Sequence, residues 1–149
     1  MSSSLLQCHN LSICIAGQQI CQDANFEFRA GECWGILGMN GAGKTTLLHT
    51  LAGLRQPDGG EVYLNNVPLQ HMSRRRIAQQ LGLMLQDTPD PFPTTVLATA
   101  LIGRHPHLSR WQWESGQDIE QAQAALQQVH LHGFEHRKVK ILYGGEGRS

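Results

Sequence analysis

Eight consecutive residues constrain the fold of this chain most strongly: Gly38-Met-Asn-Gly-Ala-Gly-Lys44-Thr45. They match the pattern G-x-x-x-x-G-K-[S/T] at every fixed position. The apolar run at residues 33–37 comes directly before them and predicts a strand buried on both faces. Residues 44–54 predict a helix that Gly53 closes. A strand, a glycine-rich turn and a helix in this order form the context that a phosphate-binding loop requires.

The residue types of this loop suit a nucleoside triphosphate. Glycines let successive backbone N–H groups converge on phosphate oxygens, and the following helix adds its positive N-terminal end. Lys44 is expected to reach the β and γ phosphates, where it acts in catalysis, and the Thr45 hydroxyl is expected to bind Mg²⁺. The predicted nucleotide-binding residues of the loop are Gly38, Asn40, Gly41, Ala42, Gly43, Lys44, Thr45 and Thr46.

Composition excludes several other classes of protein. The chain has 149 residues, 40% of them hydrophobic, and its 12 basic residues balance 12 acidic ones. Because the net charge is zero, no overall field attracts nucleic acid, and we expect no nucleic-acid partner. The N-terminus lacks a basic signal region, and no segment approaches the ~20 apolar residues of a membrane span. These features predict a cytosolic protein.

Cysteines and histidines show no metal-ligand spacing. The four cysteines form no C-x-x-C pair and are expected to be small buried hydrophobes: Cys8, Cys14, Cys21 and Cys33. His105 and His107 flank Pro106, which should hold the chain extended, and no third ligand is evident, so a surface loop is expected there. The basic run at residues 74–76 is interpreted as a solvated helix face.

Apolar periodicity places strands early and helices late. The residues at 11, 13 and 15 and those at 24, 26 and 28 alternate with polar residues, which predicts two antiparallel strands. Residues 61–64 predict a short strand, and residues 81–85 predict another buried one. Ser73 is expected to cap a short helix, and residues 96–102 form another. Ser115 and Asp118 resemble a capping box before a helix with one apolar side, made of Ile119, Ala122, Leu126 and Val129.

Three further segments resemble motifs of ABC-type ATPases. Residues 142–146, Leu-Tyr-Gly-Gly-Glu, resemble the LSGGE signature of that family, and Gln86 ends an apolar run as the Q-loop glutamine does. Residues 54–66, which begin Leu-Arg-Gln-Pro-Asp-Gly-Gly, look like the hairpin that follows the phosphate-binding helix. The resemblance covers nearly the whole chain. Residues 100–108 also look like the Gly-Arg-x-Pro stretch of iron-chelate, haem and cobalamin importers.

This resemblance implies an α/β fold, a P-loop NTPase core with an antiparallel β subdomain over residues 1–86. A helical subdomain and the signature would follow over residues 87–149. ATP and Mg²⁺ are the implied cofactors, and Gln86 would lie near the metal and the attacking water, in a catalytic and a metal-binding role. Gly144 and Gly145 would meet the γ-phosphate held by a second subunit in a head-to-tail dimer, and Ile15 takes the adenine-stacking position.

The implied role is that of the ATP-binding subunit of an importer, peripheral on the inner face of the membrane. Its partners would be permease subunits and, indirectly, a solute-binding protein. Three alternatives stay open: a non-transport ABC ATPase, a P-loop small-molecule kinase, and a remnant that holds ATP without turnover.

The chain departs from the family pattern at three points. Ile15 stands where an aromatic residue usually stacks on adenine, which predicts weaker base binding. Tyr143 replaces the signature serine. The strand with the Mg²⁺-binding aspartate and catalytic glutamate, and the switch histidine, are not found among the 149 residues. We therefore expect an N-terminal fragment that binds nucleotide better than it cleaves it.

Overall fold

A computed structural model describes residues 4–84, 94–108 and 114–139. The chain divides into two compact units, Met1–Leu83 and Met84–Ser149, and each is described by itself. The boundary expected at residue 86 between two subdomains stays a prediction.

The first unit is built on a four-stranded antiparallel sheet with the order β2-β1-β3-β4. The strands are β1 (Ser4–Ile15), β2 (Gln18–Arg29), β3 (Gly59–Leu64) and β4 (Val67–Pro68). The two strands predicted first are confirmed as the hairpin β1–β2, and residues 61–64 lie in β3. Ala16 and Gly17 join β1 to β2 with positive φ at both positions, as a type I′ turn requires.

One face of this sheet forms the core with helix α1 (Lys44–Leu51) and with α2 (Arg74–Ala78). Leu11 and Ile13 of β1 are fully buried because they alternate toward this face. The other buried members of the cluster are Cys8, Leu51, Val62, Leu64, Leu69, Met72 and Ile77. This core seats α1 against the hairpin and so fixes the glycine-rich loop that precedes α1.

Helix α1 confirms the prediction for residues 44–54, although its last helical residue is Leu51. Gly53 adopts φ +70° and donates its N–H to the Thr50 carbonyl, while the Leu54 N–H reaches the His49 carbonyl at 2.9 Å. This pair of bonds is a Schellman motif, which satisfies carbonyls that the helix leaves open. In α2, Ser73 accepts a hydrogen bond from the Arg76 N–H, as predicted for a cap.

The two segments predicted as buried strands are not strands in the described part of the chain. Residues 33–37 and 81–84 pair with no described residue, and Leu37 and Met84 are 95% and 94% exposed. The physical reason is that a strand exists only through its ladder partners, and the described sheet holds no parallel strand beside either segment. The apolar composition of these two segments therefore predicted the wrong secondary structure.

The second unit contains α3 (Val96–Ile102) and α4 (Gly116–Gln128), and both helices confirm the prediction. Thr95 caps α3, and Ser115 with Asp118 forms the expected capping box of α4. The predicted apolar side of α4 is only partly correct, because Ala122 and Leu126 are buried whereas Ile119 is exposed and Val129 is 61% exposed.

Two further expectations need correction. His105–His107 form a 3₁₀ turn rather than an extended segment, since proline is tolerated in the first turn of a helix. The cysteines are not uniformly buried: Cys8 is, Cys14 and Cys21 are partly so, and Cys33 is exposed because it lies in the unpaired segment. None of the helices in the described ranges is long and apolar enough to cross a bilayer.

Candidate nucleotide-binding site

The glycine-rich loop turns back on itself through backbone conformations that only glycine adopts easily. Gly41 and Gly43 adopt φ +82° and +88°, and the Ala42 N–H donates to the Met39 carbonyl at 3.1 Å. At Gly43, a Cβ would lie 2.3 Å from Cγ2 of Ile20. The absent side chain therefore lets β2 pack directly on the start of α1 and lets the backbone curve.

The N-terminus of α1 differs from those of the other helices in the described part of the chain. Serine or threonine side chains cap α2, α3 and α4, whereas α1 has no side-chain cap. The bond from the Leu47 N–H to the Gly43 carbonyl, 2.9 Å, begins the helical ladder. The N–H groups of residues 44–46 in the first turn have no partner within the helix, so these groups and the positive end of the helix dipole are available to an anion.

Lys44 supplies a cation that lies against this loop. Its Nζ donates to the carbonyls of Gly38 and Met39, each at 2.8 Å, so the side chain folds over the loop that precedes it. An ammonium carries three donors, and an anion seated in the loop can compete for them with these neutral carbonyls. Lys44 therefore both shapes the loop and can neutralise a bound phosphate.

The remaining loop residues predicted for the site lie around the same turn. Asn40, Gly41, Ala42 and Thr45 are exposed, and Thr46 is partly buried. Thr45 follows Lys44 in the first turn of α1, where its hydroxyl remains accessible to a ligand. The structure therefore brings together every loop residue that the sequence singled out.

Ile15 lies at the end of β1 and is 39% exposed. It pairs with Gln18, and Ile20 is the extra residue of a β-bulge on β2, because Ile13 pairs with Cys21 while Cys14 pairs with Gln19. This register puts the side chains of Ile15 and Ile20 on one face of the hairpin. Since Ile20 packs over Gly43, Ile15 lies on the face that approaches the glycine-rich loop.

The other predicted site residues cannot be placed. Gln86, Tyr143, Gly144 and Gly145 lie outside the described residues. In the described ranges, no three His, Cys, Asp or Glu side chains come together as a metal site. A Mg²⁺ ion at this loop therefore has the Thr45 hydroxyl as its candidate protein ligand from the described residues.

Comparison with known proteins decides the family. The ABC transporter family matches residues 21–148, which include the glycine-rich loop, α1 and most of each unit. The chain belongs to the ABC transporter family.

Curated ABC relatives are similar over almost all of this chain. The hemin import ATP-binding protein HmuV of Deinococcus radiodurans is 37% identical over 145 residues, covering 97% of this chain and 54% of the relative. The petrobactin import ATP-binding protein FpuD of Bacillus anthracis is 33% identical over 141 residues, covering 95% and 52%. The chain thus spans about half the length of the curated relatives it matches.

A solved structure agrees with this assignment. It is described as an inward-facing conformation of a metal-chelate type ABC transporter, and its chain superposes with a TM-score of 0.77 at 27% identity. The match covers 93% of this chain and 50% of the other. The predicted fold class, an ABC-type P-loop NTPase with an antiparallel β subdomain, is confirmed.

Sequence reasoning missed one polar network of this ABC domain and the arginine of a second one. Asp58 accepts hydrogen bonds from the Cys14 N–H and from Arg55 beside the end of β1. An aspartate before a Gly-Gly pair indicates a turn. The sequence does not indicate that this aspartate accepts a hydrogen bond from Cys14 of β1.

The second network lies in the helical unit. Asp118 accepts from the Ser115 hydroxyl at 2.6 Å, from the Ser115 N–H and from Arg104 Nε at 3.0 Å. The Ser115 bonds, with Arg104 adding to them, lower the pKa of Asp118 to about 2. Arg104 belongs to the Gly-Arg-x-Pro stretch, and in the structure this arginine forms an ion pair with Asp118 at the start of α4.

Proposed function

We propose that this chain is the ATP-binding subunit of an ABC importer that takes up an iron chelate, haem or cobalamin. The observation that carries the proposal is the loop 38–45, which combines positive-φ glycines at 41 and 43, a helix start without a side-chain cap and the Lys44 ammonium. The named relatives import hemin and petrobactin, an iron-binding cargo class in keeping with the Gly-Arg-x-Pro stretch.

In this proposal the phosphates of ATP occupy the glycine-rich loop. Lys44 exchanges its bonds to the Gly38 and Met39 carbonyls for bonds to the β and γ phosphates. The N–H groups of the first turn of α1 contact the phosphate oxygens, and Ile15 offers an apolar contact to adenine. These residues bind and orient the nucleotide.

The Thr45 hydroxyl would hold Mg²⁺, with Gln86 as a second contact. The ion, when bound, neutralises charge on the phosphates as the reaction proceeds. Hydrolysis further needs a Mg²⁺-binding aspartate and a catalytic glutamate, and the 149-residue sequence has no apolar strand pattern that ends in these two carboxylates. We propose that these residues alone bind ATP and turn it over negligibly.

The proposed partners follow from the family. Two copies would face each other head to tail, with Gly144 and Gly145 of one copy against the γ-phosphate of the other. Permease subunits would anchor the pair at the cytoplasmic face of the membrane, with a solute-binding protein acting through them.

Titration of fluorescent ATP with Mg²⁺ against the 149-residue chain tests the nucleotide site. Lys44→Ala should weaken binding by about 10- to 100-fold, because hydrogen bonds to charged groups contribute ~1.5–3 kcal/mol. Lys138→Ala removes an exposed lysine from the other unit and serves as the matched control. Equal affinities for the two variants would refute the proposed site.

The importer role needs a separate test. Cells that lack their own ATP-binding subunit would receive the gene that encodes this chain together with the genes of its permease partners, and uptake of labelled haem and of a ferric siderophore would be measured. Uptake that depends on Lys44 supports the proposal. Uptake of neither cargo, or uptake that Lys44→Ala leaves unchanged, would refute it.

A further inference from the structure

Two side chains of the turn that follows α1 form hydrogen bonds with the end of β1. Asp58 accepts the Cys14 N–H at 2.8 Å and an Arg55 Nη2–H at 2.9 Å. The same Arg55 nitrogen donates to the Cys14 carbonyl at 2.9 Å. Both backbone groups of Cys14 are therefore bonded to side chains rather than to a neighbouring strand on that side.

This pair of side chains replaces a strand partner. In the register of β1 with β3, the last pair is Ser12 with Gly59, and the Asp58 N–H donates to the Ser12 carbonyl at 2.9 Å. Beyond Ser12, β1 has no β3 backbone beside it. Arg55 and Asp58 supply the missing hydrogen bonds at Cys14, and Ile15 is the next residue of the strand.

The same contact links both walls of the nucleotide site. Residues 52–58 continue directly from α1, whose first residue is Lys44. At the other wall, Ile20 packs on Gly43 from the hairpin that carries Ile15. The clamp of Arg55 and Asp58 thus ties the helix that starts at the phosphate loop to the strand end that carries the base-contacting residue.

Charge at the clamp suits this task. The Asp58 carboxyl is ionised at neutral pH, and the Cys14 N–H, with Arg55 adding to it, lowers its pKa below the ordinary value, so that it keeps its charge further into acid. An ionised carboxylate accepts both bonds at once and orients the guanidinium for the Cys14 carbonyl. The clamp is therefore formed before any ligand arrives.

We propose that Arg55 and Asp58 are positioning residues that hold Ile15 against the base of the bound nucleotide. This inference rests on the proposed ATP site. It holds that the clamp affects the part of the ATP affinity that comes from the base, and not the part that comes from the phosphates. Loss of the clamp leaves the phosphate loop intact, because Lys44 and the N–H groups of α1 do not contact Arg55 or Asp58.

The test compares two ligands on the 149-residue chain: ATP and inorganic tripolyphosphate, each with Mg²⁺, displacing a fluorescent ATP. Asp58→Ala should weaken the binding of ATP by roughly 3- to 10-fold, because the free energy lost is about that of one net hydrogen bond. The binding of tripolyphosphate should change by less than about twofold. Asp58→Asn keeps one acceptor for the Cys14 N–H and should fall between. Ile15→Ala should match Asp58→Ala, and the double variant should be no weaker than either one.

Glu32→Gln is the matched control. Glu32 accepts the Arg29 N–H at 3.0 Å, so it is also a carboxylate bonded to strand backbone, but it lies at the far end of β2, roughly 35 Å from Gln18 along the strand. Its ratio of ATP to tripolyphosphate affinity should equal that of the unchanged chain.

Other outcomes overturn the inference. An unchanged affinity ratio in Asp58→Ala, or in Ile15→Ala, means that the clamp does not act on the base. A parallel loss of both ligands in Asp58→Ala and Asp58→Asn means that the residue is merely structural. Failure of the proposed ATP site itself has a different signature, since Lys44→Ala would then leave the affinity for both ligands unchanged.

Discussion

Replacing Gly43 with alanine should destabilise the first unit by two separable effects. The residue adopts φ +88°, and left-handed backbone costs an L-residue ~1–2 kcal/mol. The new Cβ would also lie 2.3 Å from Cγ2 and 2.8 Å from Cδ1 of Ile20, and such overpacking costs ~1–3 kcal/mol. The sum, about 2–5 kcal/mol, is a large part of the ~5–15 kcal/mol that stabilises an ordinary domain.

Gly41 offers a matched control in the same loop. It adopts φ +82°, but a Cβ there would meet nothing within 4 Å. Gly41→Ala should therefore cost only the backbone contribution, ~1–2 kcal/mol. Combining Gly43→Ala with Ile20→Ala removes the atoms that clash, so the penalty of Gly43→Ala measured in the Ile20→Ala background should fall to about that of Gly41→Ala.

Urea unfolding, followed by circular dichroism, measures these differences as shifts of the midpoint at constant slope. The slope matters, since a changed slope would indicate a different unfolded or native state rather than lost stability. Equal destabilisation by Gly41→Ala and Gly43→Ala would refute the steric part of the reasoning. A penalty at Gly43 that persists without the Ile20 side chain would show that the clash is not its cause.

Three further outcomes are expected. Leu11→Ala in the fully buried core should lower the unfolding free energy by ~2–5 kcal/mol in urea, and a loss below ~1 kcal/mol would contradict the packing described. Asp118 has a folded pKa of about 2 against an ordinary 3.8, so its contribution to stability is present above about pH 4 and is lost as the pH falls through about 2; Asp118→Asn should abolish that part of the acid dependence of helix content, and an identical acid profile would refute it. Iodoacetamide, followed by mass spectrometry, should label exposed Cys33 first and Cys8 last, because burial raises the pKa of the Cys8 thiol to about 12, and the reverse order would contradict these placements.

Local signals in the sequence predicted helix boundaries well. The caps at Ser73 and Ser115 and the glycine stop at Gly53 are short-range devices, so their partners lie within a few residues of the chain. Strand predictions were reliable only where a partner follows closely, as in the β1–β2 hairpin. Residues 33–37 and 81–84 read as strands by composition but pair with no described residue.

The sequence by itself determined the loop 38–45 and its chemistry. Fixed spacing within eight residues places the glycines, the lysine and the threonine on one turn, so neither distant contacts nor a known fold was needed to expect a phosphate site. The placement of Gln86, Gly144 and Gly145 stays a prediction from motif resemblance, because these residues lie outside the described ranges.

Only the tertiary structure decided which residues surround that loop. Ile20 packs on Gly43, and the Arg55–Asp58 clamp holds Cys14, although more than 20 and 40 residues separate these partners in sequence. No periodicity or turn signal encodes such pairs, since they depend on the register of β1 with β2 and β3 and on the bulge at Ile20. A one-residue change of register would turn each side chain to the other face of the sheet, so the walls of the site follow from strand pairing rather than from local composition.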